Sequence, residues 1–272
     1  MRIAILYICT GNYTVFWPEF YASCEEFFFR GHDKSYFVFT DGSIESATHE
    51  RVRCIEQQRM GWPHDTLQRF AMFERHEKEL EDFDLVFFCN ANVEFMRPVS
   101  EEILPIDHAA IIVAQHPGYV DGNSQKFQFE HNPRSRAFIK PGQGKNYVCG
   151  GFNGGYAGAY LQMIHTLSRN IQSDLEEGII ARWHDESHLN RYILENPYHI
   201  LPVSYCHPQY ESFAEGEVVR IREKICYGGA ALLRKESAPL LTRIRDRVRY
   251  LLARWGMLTR VRRLRKFLRT GK

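Results

Sequence analysis

Three short stretches of this 272-residue chain gather side chains that could do chemistry. In Trp183-His184-Asp185-Glu186-Ser187-His188, five polar or ionisable groups follow a tryptophan and lead into a helical pattern through Leu189, Tyr192 and Ile193. His184 and His188 are four apart and could share a helix face as a metal pair. The zinc-hydrolase pattern, however, needs Glu directly after the first His, and Asp185 stands there. The plain structural alternative is a solvated helix start, with Asp185 as cap and Glu186 complementing the dipole. Asn90-Ala91-Asn92 sets two polar side chains after the apolar run 85–89, at the carboxyl end of a strand, where α/β folds bind ligands. As an Asn-rich turn it would equally accept left-handed backbone angles. The third stretch runs from Tyr147 to Gly155, and its two Gly-Gly pairs either let the backbone approach a ligand or form bulges. The nearby Gly142-Gln143-Gly144-Lys145 lacks the spacing and the following Ser/Thr of a phosphate loop.

These stretches need elements to position them, and the first half alternates in an α/β manner. Residues 3–9 read as a buried strand, 14–30 as a helix rich in Phe and Tyr, and 36–39 as a second strand closed by a turn at Thr40-Asp41-Gly42-Ser43. A short strand follows at 52–55. A helix is expected over 66–80 with Asp65 as N-cap, and 85–89 reads as a dense apolar strand suited to a sheet buried on both faces. Residues 115–155 are rich in Gly, Pro, Asn and Gln, yet Tyr119, Phe127, Phe129, Phe138, Tyr147 and Phe152 argue that they pack. Leu161, Ile164, Leu167 and Ile171 mark a further helix. The sum is a nucleotide-binding α/β sheet elaborated after its central strand, with the ligand at the carboxyl ends of the strands.

Composition bounds the setting. Seven scattered cysteines, never in C-x-x-C spacing, argue for reduced thiols in a cytosolic environment and against a zinc ribbon or disulfide framework. No run approaches the roughly 20 apolar residues of a membrane span, and residues 3–9 lack the cleavage site of a signal peptide. The net charge of +2 conceals an asymmetry: residues 231–272 hold 14 Lys/Arg against 2 Asp/Glu, so residues 1–230 carry −10. In that tail Leu241, Ile244, Val248, Leu251, Trp255, Leu258, Val261, Leu264 and Leu268 recur every three or four residues, with Arg on the other face. A basic amphipathic helix of this kind suits an anionic membrane surface; a nucleic-acid arm or a helix packed on a partner are the competing readings.

Taken together the segments resemble family 6 glycosyltransferases, the group of histo-blood-group A and B transferases, α-1,3-galactosyltransferase, Forssman synthase and bacterial relatives. The resemblance runs in order through Tyr36-Phe37-Val38-Phe39-Thr40-Asp41, Asn90-Ala91-Asn92-Val93-Glu94-Phe95, His116-Pro117-Gly118-Tyr119, Phe129-Glu130 with Ala137-Phe138-Ile139, Tyr147 to Gly155, and Trp183 to Asn190. It implies a GT-A fold, a Rossmann-like mixed sheet with helices on both faces, over residues 1–235, with residues 236–272 as the basic helical tail. It implies a hexosyltransferase that moves Gal or GalNAc from UDP with retention, forming an α-1,3 link to a fucosylated galactoside. Ile8, Cys9, Thr10 and Tyr13 fall where the family holds uracil, and Trp62 and Arg69 near the donor sugar and ribose. Cys149, Gly150 and Gly151 match the segment selecting Gal or GalNAc. His116 and Trp183 match acceptor contacts, His184 and Asp185 donor contacts, and Glu186 the catalytic carboxylate, which also meets the acceptor. Lys224 and Arg234 match the basic segment that closes over the diphosphate.

Animal members of the resembled family carry Asp-x-Asp to hold Mn²⁺, where this chain has Asn90-Ala91-Asn92, as in the family's bacterial branch. Hard cations need anionic oxygens, so no metal cofactor is expected. UDP would be neutralised by Lys, Arg and His side chains, with Asn N–H groups donating. Glu186, near a helix start, is expected to stay ionised and to stabilise or trap an oxocarbenium-like sugar. Gly151 has no side chain, and GalNAc users of the family carry Gly there where Gal users carry Ala, so UDP-GalNAc is the expected donor over UDP-Gal. A cytoplasmic enzyme peripheral to the inner membrane face, binding no nucleic acid, completes the expectation. The rivals are a sugar-binding module on an inactive transferase fold and a metallohydrolase built on His184 and His188.

Overall fold

The computed structural model describes residues 1–44, 49–237 and 239–255, with only the backbone described at Arg243, Ala253 and Arg254. Leu258, Val261, Leu264 and Leu268 of the tail pattern lie outside the described residues.

The chain opens with β1 (Arg2–Ile8), α1 (Trp17–Phe27), β2 (Asp33–Thr40) and β3 (Val52–Glu56), then three short helices, α2 (His64–Leu67), α3 (Arg69–Glu74) and α4 (Glu77–Leu80). Next come β4 (Leu85–Asn90), β5 (Val93–Phe95), β6 (Ile111–Gln115) and β7 (Val148–Tyr156), followed by α5 (Ala157–Glu176) and α6 (His184–Tyr192). The C-terminal third adds β8 (Tyr198–Leu201), β9 (His207–Pro208), β10 (Val219–Ile221), α7 (Ala230–Leu233) and α8 (Leu240–Arg254). Seven strands form one mixed sheet in the order β3-β2-β1-β4-β7-β6-β8, and a smaller sheet runs β5-β10-β9.

Along β1 the period of two decides the packing. Ile3, Ile5 and Tyr7 point to one face, against Phe16, Trp17 and Phe20 at and before α1, while Ala4 and Leu6 point to the other, against Phe70, Phe73 and α5. A sheet covered by helices on both faces results, as a strand pattern this apolar requires. β4 lies at the middle but is parallel only to β1; its other neighbour, β7, runs antiparallel.

Three elements differ from expectation. The first helix begins at Trp17, not at residue 14, because Pro18 fixes the first turn there, and Tyr13–Phe16 form a 3-10 turn instead. The helix expected over 66–80 is cut into α2, α3 and α4, with breaks at Gln68 (ψ 13°) and His76 (ψ 14°). Asp65 does not cap it: its carboxylate accepts from the Met60 N–H at 2.6 Å, and Pro63 holds the cap position. The glycine-rich stretch, finally, is a full nine-residue strand at the centre of the sheet. Glycine there answers to packing, since a Cβ on Gly154 would overlap the Phe87 ring.

Candidate active site

Where β1, β4 and β7 meet the start of α6, a cleft of about 260 Å³ opens. β7 creates one wall by an irregularity. Its register against β6 jumps between Val113, opposite Asn153, and Ala114, opposite Cys149, so residues 150–152 bulge from that pairing. Buried Asn153 fixes the bulge, donating to the Gly150 carbonyl at 3.2 Å and accepting from the Tyr160 hydroxyl at 2.6 Å. Gly150 must be glycine: a Cβ would stand 2.7 Å from Arg69 Nη2 and 3.3 Å from Asp185 Oδ2. Gly151 has ordinary room, its nearest neighbours being Asn90 Cβ at 3.8 Å and Ile221 Cδ1 at 4.0 Å.

α6 brings the acids to the same place. Trp183, not Asp185, holds the cap position, and its N–H donates to Ser187 Oγ at 2.9 Å. His184 takes a left-handed φ of 53°, a strained conformation for a non-glycine residue. Asp185 is thereby free to turn inward, where it forms a buried ion pair with Arg69, the first residue of α3. Arg69 in turn lies over Phe88 at 4.4 Å. The break at Gln68 thus delivers a buried guanidinium to the floor of the cleft. Glu186 Oε2 accepts from the Gly150 N–H at 2.8 Å, and Oε1 from the Tyr147 hydroxyl at 3.1 Å.

Burial dominates the electrostatics. It raises Glu186 to about 7, assisted by the Asp185 charge and opposed by the Gly150 and Tyr147 hydrogen bonds. The expectation that a helix start keeps Glu186 fully ionised is therefore corrected: desolvation outweighs the dipole. Asp185 is also raised by burial, with Arg69 opposing. Burial lowers His184, so it offers a neutral imidazole and leaves the positive charge to lysine and arginine. His116 falls to about 4 for the same reason.

Of the residues singled out in the sequence, Ile8, Thr10, Tyr13, Trp62, Arg69, Asn90, Gly150, Gly151, Trp183, His184, Asp185, Glu186, Lys224 and Arg234 all line this one cleft. Cys9 stands behind it, its N–H bonded to the Phe39 carbonyl and its thiol pushed up to about 12 by burial. Ala91 is buried, with its carbonyl taking the Tyr7 hydroxyl at 2.9 Å. Asn92 is buried as a staple: Nδ2 donates to the Arg222 carbonyl at 2.7 Å and Oδ1 accepts from Asn90 at 3.1 Å. Cys149 is buried in β7 beside the cleft wall. His116 packs edge-on to Tyr147 at 5.4 Å, one residue removed from Glu186. Asp65, expected only as a helix cap, lines the cleft too, as do Thr66 and Phe88, which had no expected role in the site. Neither was Tyr147 given a role; its place in the aromatic cluster of Phe127, Phe129 and Tyr119 was the available signal. His188 points away, buried 3.6 Å from Asp174, so the two histidines do not converge. Among the described residues no three His, Cys, Asp or Glu side chains group as a metal cluster.

A basic segment covers the cleft. Lys224 Nζ lies over Tyr13 at 5.2 Å and Arg234 over Trp62 at 3.8 Å. Bonds to its backbone carbonyls latch the segment down: Asn12 N–H to Leu233 at 2.7 Å, Asn12 Nδ2 to Leu232 at 2.8 Å, and Arg59 Nη1 to Arg234 at 3.0 Å. Glu236 accepts from the Trp62 N–H at 3.1 Å.

A mixed sheet flanked by helices, with an acid-bearing cleft under basic residues at its strand ends, defines a GT-A-like glycosyltransferase. The chain belongs to glycosyltransferase family 6, whose model matches residues 1–225. It is similar to the O-antigen biosynthesis glycosyltransferase WbnI of Escherichia coli, 32% identical over 223 residues that cover 81% of this chain and 93% of that protein. It also resembles the human globoside alpha-1,3-N-acetylgalactosaminyltransferase 1, 28% identical over 214 residues, 75% of this chain and 60% of that one. Rat histo-blood group ABO system transferase 1 is 28% identical over 216 residues, 76% and 60% respectively. The chain thus spans about 60% of the length of these two animal relatives. A nucleotide-sugar donor and a glycan acceptor follow from the family. The match ends at residue 225, before Arg234 and α8.

Proposed function

We propose that this chain transfers GalNAc from UDP-GalNAc, with retention, to the 3-hydroxyl of a galactose in a fucosylated acceptor, without a metal ion. The carrying observation is Glu186, presented to the cleft by the Gly150 N–H and the Tyr147 hydroxyl. In the proposed reaction the anomeric C1–O bond breaks and its electron pair leaves on UDP. Glu186 supplies negative charge to the cationic sugar. The acceptor oxygen then bonds to C1, and its proton passes to the departing phosphate. Lys224 and Arg234 neutralise that phosphate, with Asn90 as a neutral donor.

The residues at the diphosphate end do not fit a divalent cation. Asn90 and Asn92 are neutral amides engaged with each other and with the Arg222 carbonyl, not anionic oxygens aimed outward. GalNAc is favoured by the missing side chain at Gly151, where a Cβ would come into contact with Asn90 and Ile221, and the alpha-1,3-N-acetylgalactosaminyl transfer named for the human relative lends support. The fucosylated acceptor rests on the family resemblance. An inactive sugar-binding module has no need of a buried Asp185, a Glu186 held by two hydrogen bonds and a strained His184, so catalysis is preferred.

The test is a screen of four UDP-sugars against 2′-fucosyllactose and lactose, with and without EDTA. GalNAc transfer to the fucosylated acceptor, unchanged by EDTA, is expected. Higher kcat/KM with UDP-Gal would overturn the donor assignment, activity lost in EDTA and restored by Mn²⁺ the metal assignment, and hydrolysis without transfer the acceptor assignment.

A further inference from the structure

The C-terminal helix has two faces of different fate. Leu252 packs against Ile225, as Tyr210 does, and Asp246 and Tyr250 border a groove against the covering segment. Leu241, Ile244, Val248, Leu251 and Trp255 follow one another at spacings of three and four on one stripe of the helix, which meets that groove only at Ile244. All five are exposed, from 81% at Leu241 and 68% at Trp255 to 38% at Leu251. Residues 240–255 also carry five arginines against one aspartate.

We propose that this stripe seats the protein on an anionic bilayer surface, with the apolar side chains in the headgroup boundary and the arginines on lipid phosphates and carboxylates. Charge selects this occupant over the others. Residues 256–272 hold seven Lys/Arg and no acid, so laying them over α8 would bring like charges together. A second copy of the helix meets the same repulsion. Nucleic acid would answer the arginines but leave Leu241, Ile244, Val248 and Trp255 in water, whereas a bilayer answers both. An interfacial helix need not span, and no described helix is long and apolar enough to do so.

The experiment floats the full chain with phosphatidylcholine vesicles, with or without about one third phosphatidylserine. Binding to the anionic vesicles alone is expected, lost about tenfold or more in Leu241→Glu/Ile244→Glu/Val248→Glu. Transfer to a soluble acceptor should stay within about twofold of wild type, because those positions lie outside the cleft. Leu241→Glu alone, at the most exposed position, gives a milder version of the same loss if the triple variant does not fold. Wild type that stays unbound, a stripe variant that floats equally well, or a stripe variant that instead changes oligomeric state would each overturn the proposal. Vesicle binding is read without donor or acceptor, so its outcome is separate from that of the transfer assay.

Discussion

The floor of the cleft and the segment that covers it solve the same electrostatic problem in opposite ways. On the floor, Arg69 and Asp185 are buried and Glu186 is half-buried, and each is held by a protein partner before any substrate arrives. In the cover, Lys224 and Arg234 keep partial contact with solvent and rest on aromatic faces. Buried charge is preorganised and acts on the reacting centre, while charge at the rim attracts and holds an anion. Damage to the floor should therefore appear in kcat, and damage to the cover in donor KM.

The largest effect is expected at the floor. Glu186→Gln should lower kcat by about two to three decades with donor KM little changed; a variant within a few-fold of wild type would place the catalytic carboxylate elsewhere. The same substitution should stabilise the protein at alkaline pH. A carboxyl held at about 7 in the fold and at its ordinary lower value in the unfolded chain costs stability as pH rises between the two. Glu186→Gln escapes that cost, so it should melt at least about 2 °C higher at pH 8 and no higher at pH 4. Next in size, Lys224→Ala and Arg234→Ala should each raise donor KM about 10-fold or more, the worth of a charge-assisted hydrogen bond. A loss confined to kcat would erase the distinction between floor and cover. Between the two regions, Gly151→Ala should move the UDP-Gal to UDP-GalNAc preference about tenfold toward Gal while leaving the melting temperature alone. Competition of both donors in one reaction reads this directly, and an unchanged ratio would mean the acetamido group lies elsewhere.

The smallest effect concerns protons. In the proposed reaction Glu186 acts ionised, so kcat/KM should rise through about pH 7 on the acid side. The Tyr147 hydrogen bond lowers Glu186, so Tyr147→Phe should shift that limb upward by about half a unit. A limb that stays put in the variant would assign the titration to another group.

What the sequence made legible was local. The alternation in β1 and the apolar density of β4 follow from period and composition, and the grouping of Trp183 to Glu186 announced its own segment. What stayed hidden depends on pairs distant along the chain. No spacing says that Arg69 interrupts a helix in order to meet Asp185, since that pairing is set by tertiary burial outweighing local propensity. β7 was obscured because its glycines, the usual sign of a loop, are there to let Phe87 and Arg69 approach. Glu186 near 7 was likewise out of reach, because desolvation depends on what lies around the helix start and not on the helix itself.

The bonds that hold the cover lead to a matter of timing. Asn12, Arg59 and Trp62 grip it chiefly through backbone carbonyls and amides, at Leu232, Leu233, Arg234 and Glu236. Four such bonds, at roughly 0.5–1.5 kcal/mol each before the entropy of ordering the segment is set against them, oppose its release. In the proposed reaction the segment would have to loosen before spent UDP could leave. On that reading turnover is expected to be clocked by departure of the product, not by making the glycosidic bond. Rapid mixing with saturating substrates should show a first round of glycoside formed in a burst before the steady rate; product rising linearly from the outset would return the clock to the chemistry.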